Sequence, residues 1–351
     1  MTRAGIPHST LELIARRTEE AQVRLGSQRP SAREVYRLPN VQEGMRMMSN
    51  HLIRTCLFAP INRGQKRQEH LETKLASRSD VQLFYSGTQL DEADRDVFLQ
   101  LVYEARKQAL GEPVRISEAR LLSALGKTRG GKDYDWLRDT IRRLHRATIV
   151  VEHDQYRIGT RRRPECGLHL IDRYDRDSDG AYCFTLDPRI LTLFSRHEYS
   201  FIDWNIRLRL RTNIGKWLQP LVASSSNTIH RYSLNDLKEW MSYQGRERDF
   251  ITALKSGLAD LEREYVVLSP TVAKKGNGQI IVSWTRPPSK TKNGIRPSQA
   301  YLSAMPGQLS KDELLAIARQ DLGPNADLPS VEKWAGELKG RLRNRGKQTT
   351  G

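Results

Sequence analysis

The sequence contains little cysteine and no long apolar run. Its 351 residues include three cysteines, and Cys56, Cys166 and Cys183 lie far apart without a C-x-x-C pair, which argues against a disulfide framework and against a zinc site. No stretch approaches the roughly 18 consecutive apolar residues of a membrane span. The first residues lack the apolar segment of a secretory signal. We therefore expect a cytoplasmic protein with no membrane attachment.

Negative charge is also scarce relative to positive charge. The chain carries 58 Lys and Arg against 41 Asp and Glu, a formal net charge of +17. Such an excess favours a polyanionic partner, because each neutralised phosphate releases condensed counterions. Nucleic acids and membrane surfaces are both polyanions, so charge alone does not choose between them. At this length we expect two domains with polar tails rather than one domain.

The apolar pattern predicts an α+β protein with two copies of one order of elements. The first copy is predicted as a strand (81–85), a helix (91–110), a strand (114–116), a helix capped by Ser117, a turn from Gly126, a helix (132–146) and β-like segments. The highly charged segment 62–79 is predicted to be a loop. The second copy is predicted as a helix within 201–224, a strand (229–232), a helix capped by Ser233, a turn at Gly245, a helix (246–265) and a hairpin around Gly278.

This repeated order indicates tandem winged-helix (helix-turn-helix) domains. We predict the first at 51–190 and the second at 191–286. A flexible N-terminal arm (1–50) would precede them, and a linker with a basic helical tail (287–351) would follow.

Basic residues cluster on the parts of each copy that would face DNA. In a helix-turn-helix the second helix enters the major groove, and a wing contacts phosphates or a minor groove. In the first copy the candidates are Lys127, Arg129, Lys132, Arg138 and Arg142, with Arg161, Arg162 and Arg163 near the wing. In the second copy they are Arg246, Arg248, Thr252 and Lys255, with Lys274 and Lys275 at the wing tip.

These candidates do not all have one interpretation. Arginine suits guanine, because its fork can donate to both O6 and N7. The alternative for the first helix is a solvated basic face that is partly paired with Asp135 and Asp139. In the second helix Glu247 and Asp249 could hold these arginines, accept from cytosine or cap the helix, and capping is favoured for Asp249.

The sequence contains no complete enzyme motif. Gly126-Lys127-Thr128 resembles the end of a phosphate-binding loop, but Leu121 stands where the pattern needs its first glycine. The acidic cluster formed by Asp172, Asp175, Asp177 and Asp179 is interpreted as a solvated turn rather than a cation site. We therefore predict no catalytic site, no metal and no cofactor.

Several short strings point to one family by their order and spacing. They include Arg54-Thr55-Cys56-Leu57-Phe58, Tyr85-Ser86-Gly87-Thr88-Gln89-Leu90, Gly111-Glu112-Pro113-Val114, and Leu193-Phe194 followed by Phe201-Ile202 and Trp204. Arg246 and Arg248 match basic positions at the start of the second recognition helix. From about residue 52 to 284 the sequence resembles the TrfA-type plasmid replication initiators.

The resemblance implies two winged-helix domains that bind repeated sites (iterons) in double-stranded origin DNA. It also implies opening of an adjacent A·T-rich segment and recruitment of the host initiator and replicative helicase in a bacterial cytoplasm. Family members can carry a Q-L-x-L-F peptide for the sliding clamp. The nearest string here, Gln82-Leu83-Phe84, lies inside a predicted strand, so clamp binding is not predicted. A homodimer is left open, and the alternative functions are a winged-helix transcriptional regulator and a DNA-processing enzyme.

Overall fold

A computed structural model describes residues 37–61, 64–77, 81–153, 156–159, 167–225, 227–276 and 278–287, with some helical residues between 311 and 339. The helices are α1 (Asn50–Ile53), α2 (Glu92–Ala105), α3 (Glu118–Ala124), α4 (Gly131–Arg146), α5 (Trp204–Arg209), α6 (Asn213–Ala223), α7 (Leu234–Trp240) and α8 (Glu247–Arg263), and a 3₁₀ helix spans Pro188–His197. Among these described helices, none is long and apolar enough to cross a membrane.

Fifteen strands alternate with the helices in the described part of the chain. They are β1 (Met45–Ser49), β2 (Phe58–Ala59), β3 (Glu69–Leu75), β4 (Val81–Thr88), β5 (Leu90–Asp91), β6 (Val114–Ser117), β7 (Thr148–His153), β8 (Tyr156–Ile158), β9 (Leu168–His169), β10 (Arg173–Arg176), β11 (Ala181–Thr185), β12 (Tyr199–Asp203), β13 (Ile229–Ser233), β14 (Leu268–Lys274) and β15 (Ile280–Thr285). This mixture of helices and strands confirms the α+β class.

The first copy contains two antiparallel sheets besides the short parallel pair of β2 and β5. The larger is antiparallel with the order β3-β4-β7-β8, and β9 also pairs with β7. The smaller is antiparallel with the order β10-β11-β6. Helices α2, α3 and α4 pack against one another, and Leu121, Leu122, Leu137, Ile141 and Leu144 bury their side chains between these elements. The predicted helix–strand–helix–helix order is confirmed here.

The second copy follows the same order with a three-stranded antiparallel sheet, β13-β15-β14. Phe250, Leu254, Leu258 and Leu261 are all buried along α8, as their spacing predicts. Helix α8 crosses α6 at Gly257, where an added Cβ would lie 2.6 Å from the Ile214 side chain. The absence of a side chain at this position therefore sets how closely the two helices approach.

Three predictions about segments are wrong. The predicted loop 62–79 contains β3, an edge strand whose side chains are mostly exposed except for Leu75, so it shows no apolar alternation. The predicted arm 1–50 contains β1, which pairs with β12 in the register Met47↔Phe201. The single helix predicted within 201–224 is β12 followed by α5 and α6, because Thr212 begins a new helix by accepting a hydrogen bond from the Gly215 N–H.

A buried network of charges joins the two copies. Arg207 on α5 is fully buried and contacts Glu92 at 2.6 Å and Asp96 at 2.5 Å on α2. Lys216 on α6 contacts Asp96 at 2.7 Å, and Arg95 contacts Glu92 at 3.0 Å. Buried ions are tolerated only when they are paired, so this network favours one arrangement of α2 against α5 and α6.

Candidate nucleic-acid interface

The turn between α3 and α4 has a defined hydrogen-bonding pattern. Gly126 adopts a left-handed conformation with φ +65°. Its N–H donates to the Ser123 carbonyl at 3.1 Å, and the Lys127 N–H donates to the Leu122 carbonyl at 2.9 Å. This pair of bonds is the Schellman motif, which ends a helix and turns the chain sharply. It positions Lys127 in the turn, three residues short of the start of α4.

The turn between α7 and α8 repeats this pattern with a different residue. Ser242 is left-handed with φ +50°, and its N–H donates to the Glu239 carbonyl at 2.8 Å. The Tyr243 N–H donates to the Lys238 carbonyl at 3.0 Å. The prediction that Gly245 makes this turn is therefore wrong in position. In both copies two helices are thus joined by a turn with the same hydrogen-bonding pattern, and we call each such pair a helix-turn-helix.

The second helix of each pair begins without a side-chain cap. Ser117 and Ser233 accept hydrogen bonds at the starts of α3 and α7, whereas neither Gly130 nor Arg246 supplies a side-chain cap at the starts of α4 and α8. The interpretation of Asp249 as a cap is wrong, since its carboxylate lies 3.5 Å from Arg248 Nε instead. The Asp133 and Asp249 N–H groups donate to the Gly130 and Arg246 carbonyls, so at each start only the N–H groups before them remain available to an anion such as phosphate.

Two of the predicted contacts on α4 are already engaged. Arg138 contacts Glu118 at 3.2 Å and Asp135 at 3.0 Å, and Arg142 contacts Asp139 at 2.7 Å. Burial raises the pKa of Glu118, but hydrogen bonds from Arg176 and Arg138 outweigh it and leave that pKa below its usual value. Glu118 is therefore an anion that holds Arg138. The paired basic face, the alternative interpretation, is what the structure shows for these two arginines.

Arg129 and Lys132, before and at the start of α4, are exposed, whereas Lys127 is half-buried. Arg129 is exposed and donates to Ser123 Oγ at 3.1 Å. The Lys127 ammonium lies 4.0 Å from the Trp136 ring centroid and 3.8 Å from an Asp133 oxygen. Lys132 is exposed and forms no ion pair with the described residues. The positive charge that is free to meet a polyanion thus lies around the turn and the first residues of α4.

The start of α8 presents an exposed polar face. Arg246, Arg248, Thr252 and Lys255 are all exposed, and the last three follow helical spacing on the side opposite the buried stripe. The Arg248 side chain is 75% exposed. Thr252 Oγ1 donates to the Arg248 carbonyl at 3.0 Å, which fixes the hydroxyl against the helix. These side chains could reach base edges and phosphates together.

The hairpin of the second copy carries the predicted lysines. Lys274 and Lys275 are exposed where β14 ends. The Gly278 N–H donates to the Lys275 carbonyl at 2.9 Å, and Gly278 is left-handed with φ +86°. The predicted hairpin is confirmed, with Asn277 outside the described residues.

The hairpin of the first copy differs from the prediction. In the second copy β13 pairs with β15 of the hairpin, and in the first copy the equivalent β6 pairs with β11 of the β10–β11 hairpin. Its tip is acidic, with Asp177 accepting from the Ala181 N–H at 2.8 Å, as expected for a turn. Strand β8, which contains Arg157, belongs to the larger sheet. Arg161, Arg162 and Arg163 lie outside the described residues.

A cleft of about 920 Å³ lies between the two helix-turn-helices. Lys127 and Trp136 line it from the first copy, and Tyr243 and Ser256 line it from the second. Arg211 is exposed at this cleft, and its N–H donates to Asp260 Oδ2 at 2.7 Å. Arg211 is not among the predicted contacts, because the apolar spacing predicts one continuous helix across the α5–α6 break. The Thr212 cap next to it was the available signal.

Comparison with known proteins adds independent information. Over 164 residues the chain is 29% identical to the plasmid replication initiator protein TrfA of Escherichia coli, a match covering 46% of this chain and 42% of that protein. The chain thus matches less than half the length of this curated relative.

Two solved structures are similar in shape. Domains 2 and 3 of RctB superpose with a TM-score of 0.46 at 15% identity, covering 68% of this chain and 98% of that one. The Pi initiator protein in complex with iteron DNA superposes with a TM-score of 0.41 at 14% identity, covering 58% of this chain and 97% of that one.

The TrfA protein family model matches residues 30–229. Since this match spans more than half of the chain, the chain belongs to the TrfA protein family.

Proposed function

We propose that the protein is a plasmid replication initiator. It binds iterons in double-stranded origin DNA, opens an adjacent A·T-rich region, and recruits the host initiator and replicative helicase in the bacterial cytoplasm. Family membership supports this role, as does the name of the curated relative. The observation that carries the DNA-binding part is the exposed polar face at the uncapped start of α8.

Each copy is proposed to be a winged helix. In the second copy, α6, β13, α7, α8 and the β14–β15 hairpin follow the order helix, strand, helix, helix and hairpin. In the first copy, α2, β6, α3, α4 and the β10–β11 hairpin follow the same order. We keep the division into domains at 51–190 and 191–286, with β1 joined to the second domain through its pairing with β12.

The proposed contacts divide into two roles. Arg248 is placed to read a guanine edge in the major groove, with Arg246, Thr252 and Lys255 beside it. Lys127, Arg129 and Lys132, together with Lys274 and Lys275, would meet phosphates and position the protein. The accessible Arg211 would add a phosphate contact in the cleft. Arg138 and Arg142 are proposed to be secondary, because acidic neighbours already hold them.

The experiment is a binding screen across the encoding replicon, with fluorescence anisotropy on labelled duplexes. We expect binding to clustered direct repeats beside an A·T-rich tract. Arg248→Ala should weaken repeat binding by about 1–3 kcal/mol and relax the base preference at one position. Lys107→Ala is the control, because it removes one exposed positive charge between α2 and β6, outside every predicted DNA contact.

The outcome pattern distinguishes base reading from phosphate contact. If Arg248→Ala weakens binding to all duplexes equally, Arg248 contacts only phosphate. Binding confined to one promoter palindrome would contradict the initiator role and indicate a transcriptional regulator instead.

A further inference from the structure

Two histidines and a glutamate from three separate elements meet at the edge of the first sheet. His51 lies in α1, His153 is the last residue of β7, and Glu198 immediately precedes β12. One donor atom from each lies within 4.8 Å of the other two. Among the described residues, no other group of three or more His, Cys, Asp or Glu side chains brings its donor atoms this close together. None of these three residues belongs to the proposed DNA interface.

The backbone fixes two of these side chains opposite each other. Pairing of β1 with β12 places Ser49 opposite Tyr199, one residue away from the start of α1 and from Glu198. The Asn50 N–H donates to the Glu198 carbonyl at 2.9 Å. His51 Nε2 contacts Glu198 Oε2 directly. This register brings an imidazole and a carboxylate together before any ligand is considered.

The third side chain completes a triangle. The His51 and His153 rings lie 4.9 Å apart between centroids and meet at 65°. Three atoms within 4.8 Å of one another share a point about 2.8 Å or less from each, and zinc bonds to nitrogen and oxygen are about 2.0–2.2 Å. Binding would therefore move each donor by about 1 Å or less toward that point, and it would separate the contacting His51 and Glu198 atoms to about 3.3 Å, the spacing of two ligands on a tetrahedral ion.

We propose that His51, His153 and Glu198 bind a divalent transition-metal ion of the zinc class. Two imidazoles and one carboxylate are ligands that suit zinc and its neighbours rather than calcium or magnesium, which prefer oxygen. Three protein ligands leave a fourth position for water. The ion would join α1 and the start of β12 to the end of β7, and so link the larger sheet to the strand that leads into the second copy.

The alternative is a plain His51–Glu198 ion pair with His153 packed beside it. The two arrangements differ in what they do with added metal. An ion pair requires none, whereas a three-ligand site binds one equivalent and is stabilised by it, because the ion binds the folded state in preference.

The test uses the full-length protein after removal of metal with a chelator. Co²⁺ is the spectroscopic probe, because its visible absorption reports ligand number, and Zn²⁺ is the competitor. We expect one equivalent of Co²⁺ to bind, to be displaced by Zn²⁺, and to raise the thermal midpoint. His153→Gln and Glu198→Gln should each weaken Co²⁺ binding at least tenfold, whereas buried His51 is left intact to preserve folding.

The matched control is His169→Gln. His169 also faces a second histidine, His145, with ring centroids 6.2 Å apart, but it has no carboxylate in a three-residue group. Its Co²⁺ affinity should equal that of the wild type. The proposal would be overturned if His169→Gln and Glu198→Gln lost Co²⁺ affinity equally. Unchanged Co²⁺ binding in both His153→Gln and Glu198→Gln, or no Co²⁺ binding by the wild type, would also overturn it.

Discussion

Removal of the buried Arg207 charge should strongly destabilise the fold. Its guanidinium contacts Glu92 and Asp96, which are themselves buried. Arg207→Met keeps an unbranched side chain in the space but removes the charge and its hydrogen bonds. Glu92 would retain Arg95, and Asp96 would retain Lys216. Removing one partner of a buried ion pair typically costs about 3–5 kcal/mol, so we expect a loss of that size in the free energy of unfolding.

The assay is urea denaturation at pH 7.5, followed by circular dichroism and tryptophan fluorescence. The control is Arg142→Met, which breaks a surface pair with Asp139 and should cost less than about 1 kcal/mol. Burial is the main cause that raises the pKa of Glu92 above its ordinary value, and opposing charges from Arg95 and Arg207 limit that rise. Loss of Arg207 would raise it further. The destabilisation should therefore shrink as the pH falls, because folded Glu92 then takes up a proton more readily than unfolded Glu92.

Two results would refute this reasoning. A loss in Arg207→Met no larger than in Arg142→Met would mean that the network contributes nothing beyond a surface pair. A loss that grows on acidification would mean that removal of Arg207 does not raise the pKa of Glu92.

Three further perturbations test other parts of the account. Replacing Lys274 and Lys275 with Ala should weaken binding to all duplexes alike and should reduce the magnitude of the slope of log affinity against log salt concentration by about one to two. An unchanged slope in anisotropy titrations would show that this hairpin does not contact DNA. Gly257→Ala should destabilise the fold by about 1–3 kcal/mol in urea melts, because its Cβ would collide with α6, and an unaltered melt would show that the two helices can separate freely. Burial, followed by a neighbouring carboxylate, raises the pKa of Asp91 to about 6 from an ordinary value of 3.8. The wild type should therefore gain stability relative to Asp91→Asn as the pH falls from about 7 to 4, and a relative loss in melts over that range would contradict it.

The helices could be predicted wherever burial imposes a period on the sequence. The stripe from Phe250 to Leu261 identifies α8, and Ser233 marks the start of α7, because one face is buried and the cap is local. Strand β3 was not predicted because an edge strand with mostly exposed side chains shows no alternation of apolar and polar residues. The α5–α6 break was missed because neither residue at the break, Leu210 or Arg211, is a glycine or a proline.

The candidate site was predicted less completely, for reasons of range. The partner of β6 in the small sheet is β11, more than 60 residues later, so local patterns could not show which strands form that sheet. Whether Arg138 is free depends on Glu118, twenty residues away, and sequence spacing alone does not show that contact. Glycine favours a left-handed conformation, so Gly126 signals its turn in the sequence, whereas the equally left-handed Ser242 does not. Long-range contacts decide these features, and local patterns do not contain them.

The central claim is that the two helix-turn-helices recognise repeated origin DNA. The most direct measurement compares affinity for a duplex of the direct repeats beside the gene with affinity for a shuffled duplex of the same composition, in the same salt. Specific binding predicts an affinity ratio of roughly a thousand or more, and Arg248→Ala should narrow it by about tenfold. Equal affinity for the two duplexes would contradict the account.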